Sequence, residues 1–260
     1  MNFTEKNVLV FDLEVAPYDF ETQYDDSTKE YLLKYAYGDP DKEKEVIDSL
    51  VFNPFTSRIV AIACLDFNKY FAFKNLNENQ NLSVAVKEKY GTVFVNNETD
   101  ISQPSPKDYI DNVQYVYSDE PNLVKNFWAL IRKYQYNHFV TFNGREFDCP
   151  FIMLRSLILE VKPSYNLMKG SDFTFKDYHT DLMKELTFNK HSPTGARRKF
   201  SLDFYCKMLG IKSPKSEGVA GDKVHELFEN KQFQIIAEYC MGDVIATAEL
   251  LWKFNNIINI

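Results

Sequence analysis

Several things are scarce in this chain, and each scarcity excludes a class of protein. Its four cysteines, at 64, 149, 206 and 240, form no CxxC pair, and its four histidines add no zinc spacing, so neither a disulfide scaffold nor a zinc module is expected. No apolar run approaches the length of a membrane span. The opening residues, MNFTEKN, lack a signal-peptide pattern. These absences predict a cytoplasmic, reduced protein whose thiols are packing groups. Basic charge is also short: 30 Lys and Arg face 37 Asp and Glu, a net of −7. That balance argues against broad coating of nucleic acid. No internal repeat, long linker or low-complexity tract interrupts the 260 residues, which predict one domain over 1–260. Aromatics are plentiful, with 22 Phe and 16 Tyr to build a core.

Three distant stretches carry acidic residues in settings that belong together. The first reads VLVFDLEV. Val8–Phe11 is a short apolar run and predicts a buried strand. Strand side chains alternate, so Asp12 and Glu14 point to one face while Leu13 points back. Two adjacent carboxylates repel unless a divalent cation lies between them, and oxygen ligands suit Mg²⁺ or Mn²⁺. The second stretch reads TFNGREFDCPF. A strand over 138–143, an Asn143-Gly144 turn and a helix from 147 place Asp148 in a first helical turn beyond a strand end. The third reads EYCMGDVIATAELL and predicts a helix. Tyr239 and Asp243 are four residues apart and share one face, while Ile236, Cys240, Val244 and Leu251 read as core. Each piece has a plainer reading: a solvated strand end, a helix-start acid, a core aromatic beside a surface charge. Their combination and order decide for a site.

The DLE, NGREFD and YCMGD stretches resemble the three exonuclease motifs of the DEDD superfamily of 3′–5′ exonucleases, tyrosine subclass. More closely, the chain is similar to stand-alone predicted exonucleases related to the proofreading domain of family B DNA polymerases. SLDFYCKMLGIKSPKSEG, NPFTSRIVAIAC and YHTDLMKEL extend the likeness, which covers most of 5–255 and is weakest across 18–50 and 75–115. The resemblance implies an α/β, ribonuclease H-like fold with a mixed central sheet flanked by helices. It implies two Mg²⁺ or Mn²⁺ ions held by Asp12, Glu14, Asp148 and Asp243, with Asp12 bridging. Tyr239 would orient water, because an ordinary tyrosine pKa near 10 makes it a poor base. Asn143 and Phe147 would shape the pocket for the terminal nucleotide. The expected substrate is single-stranded nucleic acid, DNA favoured. A proofreading or repair role would need a partner chain. Two other readings use the same fold: a catalytically idle binding or scaffolding module, and an exoribonuclease or scavenger of short oligonucleotides.

Local signals agree with an α/β layer architecture. Strands are expected at 7–13, 58–66, 68–74, 92–96 and 138–143, and helices at 120–135, 147–159, 200–209, 221–230 and 232–253. Residues 97–107, with Pro104 and Pro106, predict a loop. The acidic stretch 18–50 predicts helices across the mouth of the site. Residues 186–199 are nearly free of acid and predict a flexible basic loop, in which Arg197, Arg198 and Lys199, helped by Lys212 and Lys215, would hold substrate phosphates.

Overall fold

The Val8–Phe11 run opens β1 (Val8–Pro17), which is buried on both faces for most of its length. The structure, a computed structural model, describes residues 6–78, 89–98, 107–110, 112–171, 174–213 and 221–258. After β1 come α1 (Phe20–Gln23), α2 (Asp26–Leu33) and α3 (Pro40–Ser49), each started by an aspartate cap, at Asp19, Asp25 and Asp39. There follow β2 (Ser57–Asp66), α4 (Phe67–Glu78), β3 (Gly91–Asn96), β4 (Lys107–Ile110) and β5 (Val113–Ser118). Next are α5 (Glu120–Tyr134), β6 (His138–Thr141), α6 (Asp148–Ile158), β7 (His179–Asp181) and α7 (Leu182–Leu186). The described chain closes with α8 (Leu202–Leu209), α9 (Val224–Glu229) and α10 (Phe233–Ile257).

The strands form one mixed sheet in the order β4-β5-β3-β2-β1-β6-β7. β1 lies inside it, antiparallel to β2 and parallel to β6. Alternation splits β1 between two cores. Val8 and Val10, with Ala61, Ala63 and Val93, pack under Ile236, Cys240, Val244 and Leu251 of α10. Leu9, Phe11 and Leu13, with Ile62 and Phe94, pack under Phe127 and Ile131 of α5 and Phe151 of α6. Each Val, Leu, Ile or Phe side chain among them contributes about 1.5–3 kcal/mol on burial. Asp12 and Glu14 continue the Val8–Val10 series and lie opposite Ala63 and Ala61 in register. Those methyl side chains leave room above the sheet for two carboxylates.

One ion pair is sealed inside. Arg155 donates to both oxygens of Glu120, at 2.9 and 2.5 Å, to the Pro54 carbonyl and to the Tyr18 hydroxyl. Glu120 also accepts the Ile59 N–H at 2.8 Å. Burial of such a pair is tolerated because every polar atom of the fork finds a partner.

The structure corrects one expected element. Residues 68–74 are not a strand but belong to α4. The Asp66 carboxylate accepts the Lys69 N–H at 3.0 Å and so starts a helix there. Phe67 and Phe71 then meet one turn apart, and Phe71 stacks on Trp252 of α10. Strands β4, β5 and β7 were not anticipated. Of the 97–107 loop, residues 99–106 lie outside the described residues, and Lys107 already belongs to β4. Among the described residues no helix is long and apolar enough to cross a membrane.

Candidate active site

Three elements converge on the continuation of β1. β6 ends at Thr141, three residues after its pairing with β1 begins at His138, so the β1 edge beyond Val10 is left without a strand partner there. Asp148 fills that gap: its carboxylate accepts the Leu13 N–H at 3.0 Å. The Asp12 and Glu14 oxygens and the Cys240 sulfur from α10 all lie within 4.8 Å of one another. Burial, then Asp148, Asp243 and Glu14 in that order, hold the Asp12 carboxyl well above the usual range. Glu14 is likewise raised, by burial first and then by Asp243 and Asp148. Asp148 is pushed up to about 7 by burial, against the lowering effect of its two backbone hydrogen bonds. The four carboxylates thus form one electrostatic unit.

Cys240 is not a match for a hard cation. Its thiol is pushed up by burial and by the neighbouring carboxylates, and its S–H points to the Asp12 carbonyl at 3.6 Å. It packs, as do the other three buried cysteines. Tyr239, half-buried one residue before it, has its phenol held above the ordinary value by burial and by Asp243 and Glu14, with a hydrogen bond to Asp243 adding to the effect. It keeps its proton throughout the physiological range.

The turn between β6 and α6 is built with unusual stringency. Asn143 adopts a left-handed conformation, φ +67°. Gly144 has no room for a side chain, since a Cβ there would lie 2.3 Å from Thr141 Oγ1. Asp181, at the end of β7, accepts the N–H groups of Asn143 and Arg145 at 3.0 Å each, and that of Met183. Thr141 Oγ1 accepts the Gly144 N–H and bonds His179 Nε2, whose Nδ1 contacts Cys149. These groups fix where Asn143, Phe147 and Asp148 point. Asp181 was not singled out from the sequence, although it stands in the YHTDLMKEL segment and an Asp before a helical run is a readable cap.

Glu14, Asn143, Phe147, Tyr239 and Asp243 line a cleft of about 1330 Å³, together with Tyr18–Glu21, Ile47, Asp48 and Leu50–Phe52. The segment 18–50 therefore supplies one wall with its helices, as its composition suggested. Phe52 meets Phe147 edge-on at 6.3 Å. The wall residues include the acids Glu14, Asp19, Glu21, Asp48, Asp203 and Asp243 and, among the described residues, no Lys or Arg. The basic segment stands apart from this lining. Arg197, Arg198 and Lys199 are exposed, around a short 3-10 turn at Gly195–Arg197. Lys212 follows α8, and Lys215 lies outside the described residues.

Residues 101–258 match the family described as predicted 3′–5′ exonucleases related to the exonuclease domain of PolB. The chain belongs to this family. DNA polymerase 1 of Sulfolobus acidocaldarius is 24% identical over 227 residues, which are 84% of this chain and 23% of that protein. The family B DNA polymerase of the hyperthermophilic archaeon Pyrobaculum calidifontis superposes with a TM-score of 0.54 at 16% identity, over 96% of this chain and 24% of the other. The chain thus spans about a quarter of the length of either polymerase. The sheet and its flanking helices are those of a ribonuclease H-like exonuclease domain.

Proposed function

We propose that this chain is a metal-dependent 3′–5′ exonuclease of the tyrosine-type DEDD class, acting on single-stranded nucleic acid. The observation that carries the reading is the mutual proximity of Asp12, Glu14, Asp148 and Asp243, of which Glu14 and Asp243, with Tyr239, line a cleft wide enough for more than one nucleotide. DNA is favoured as substrate because both compared proteins are named DNA polymerases.

The residues fit divalent cations. Asp12, Glu14 and Asp148, raised by burial and by neighbouring acids that include Asp243, need a counter-charge, and among the described residues the cleft wall offers no Lys or Arg. A polyanion could not enter such a cleft unaided. The donors are hard oxygens, which suit Mg²⁺ or Mn²⁺. Asp12, Glu14, Asp148 and Asp243 are the residues that would hold the ions. When bound, the ions supply the Lewis-acid charge that makes water a nucleophile and stabilises the leaving oxygen. The chain's own part is orientation. Tyr239 stays protonated, bonds Asp243, and presents its oxygen to position the attacking water. Asn143 and Phe147, fixed by the Asp181-bound turn, shape the place of the terminal nucleotide.

The test is a 5′-labelled strand, as DNA and as RNA, incubated with Mg²⁺ or Mn²⁺. A ladder shortening from the 3′ end, absent in EDTA and in Asp12→Ala, is expected. An Asp12→Ala protein as active as the wild type would overturn the site assignment. Intact strands despite binding of metal and nucleic acid would favour the idle binding module instead.

A further inference from the structure

The absence of Lys and Arg among the described residues of the cleft wall raises the question of where a strand finds its positive charge. An aromatic path answers it. Phe142 lines the cleft, and its ring meets Tyr205 edge-on at 6.0 Å. Tyr205 meets Phe200 at 5.8 Å, and Phe200 stacks on Phe204 with centroids 4.3 Å apart and planes 19° from parallel. Ring contacts therefore run from the cleft to the surface, where Phe204 is 40% exposed. The Arg198 guanidinium lies 5.0 Å over Phe200, and the Tyr205 hydroxyl donates to the Arg198 carbonyl at 3.2 Å. The basic segment is thereby tied to the ring stack. The acids nearby are already engaged: Asp203 accepts from Lys207 and Ser213, and Glu146 from Lys184.

We propose that the Phe200–Phe204 stack, with Arg197, Arg198 and Lys199, is a second subsite that holds an upstream nucleotide of a single strand whose 3′ end lies in the cleft. A base stacks on Phe204, and the flanking phosphates lie among the cations. Such a platform is sequence-tolerant, because every base offers a π-face. The cations release counterions from the strand and supply the attraction that the acidic cleft cannot. The proposal rests on the exonuclease reading and adds to it a determinant of strand length.

The test is fluorescence anisotropy with 5′-labelled oligonucleotides of two and of twelve nucleotides, as DNA and as RNA, in Ca²⁺ over a time in which no product forms. The proteins are wild type, Phe204→Leu, Phe204→Tyr and, as a control at an exposed ring elsewhere, Tyr35→Leu. Phe204→Leu should weaken binding of the longer strand about tenfold, the order of one lost stacking contact. The ratio of long- to short-strand affinity should fall with it. Phe204→Tyr should restore both, and Tyr35→Leu should match the wild type. A loss in both sugars supports a subsite for base and phosphate; a loss in one supports it and identifies the sugar. If the wild type shortens strands but Phe204→Leu keeps its full length dependence, the subsite alone is refuted. If the wild type neither binds nor shortens any strand, the exonuclease reading falls as well.

Discussion

In the metal-free protein the carboxylate cluster is an electrostatic load on the fold, and Asp148 allows its size to be worked out. Its carboxyl is raised from 3.8 to about 7, chiefly by burial. The folded state therefore holds this proton more tightly than the unfolded state. The resulting stability is fully present below pH 3.8, is lost as pH rises toward 7, and stays lost above. At 1.36 kcal/mol per pH unit the loss at pH 8 is on the order of 4 kcal/mol. Asp148→Asn removes the charge but keeps an oxygen to accept the Leu13 N–H. In EDTA at pH 8 the variant should melt on the order of 10 °C above the wild type, and the gap should close as pH falls toward 4. Comparing the two proteins at each pH cancels titrations they share. Mg²⁺ should reverse the order, because only the intact cluster gains strongly from binding. Equal melting temperatures at pH 8 in EDTA would refute the reasoning, since the cluster would then carry no strain for a cation to relieve.

Burial lowers His138 to about 4 and His179 to about 3, so both are neutral in the fold and their contribution is lost as pH falls below 6.5. His179→Gln should therefore flatten the acid side of the stability curve measured by urea denaturation. Arg155→Met strands a buried Glu120 and should cost about 3–5 kcal/mol, while the Glu120→Gln/Arg155→Met double variant should recover most of it in the same assay. Gly144→Ala forces the turn away from Thr141. It should lose about 1–3 kcal/mol by thermal melting, together with most nuclease activity. Tyr239→Phe keeps the ring but not the hydroxyl, and should retain part of the turnover rate that Asp12→Ala abolishes.

The framework of the candidate site was legible because it rests on local periodicity. The Val8–Phe11 run fixed a strand, strand alternation put Asp12 and Glu14 on one face, and the four-residue spacing paired Tyr239 with Asp243. Ile236, Cys240, Val244 and Leu251 are buried as their spacing required. What escaped depends on partners distant in sequence. Residues 68–74 carry aromatics that suit a strand, but Asp66 starts a helix and Trp252, far along the chain, rewards it. The alternation in Val113–Ser118 was readable and was passed over, whereas the three-residue β7 is too short to show a period. Asp181 was readable as a helix cap but not as the anchor of the Asn143–Arg145 turn, and the Glu120–Arg155 pair has no local mark, because these partners lie 35 or more positions away.

The gathering of β1, α6 and α10 around one cluster also orders events during synthesis. Asp12 emerges first, Asp148 more than a hundred residues later, and Tyr239 and Asp243 last. A nascent chain that has not yet delivered α10 lacks both the cover over Val8 and Val10 and the side chains of Tyr239 and Asp243. The carboxylate cluster is therefore complete only once the last helix has folded onto the sheet.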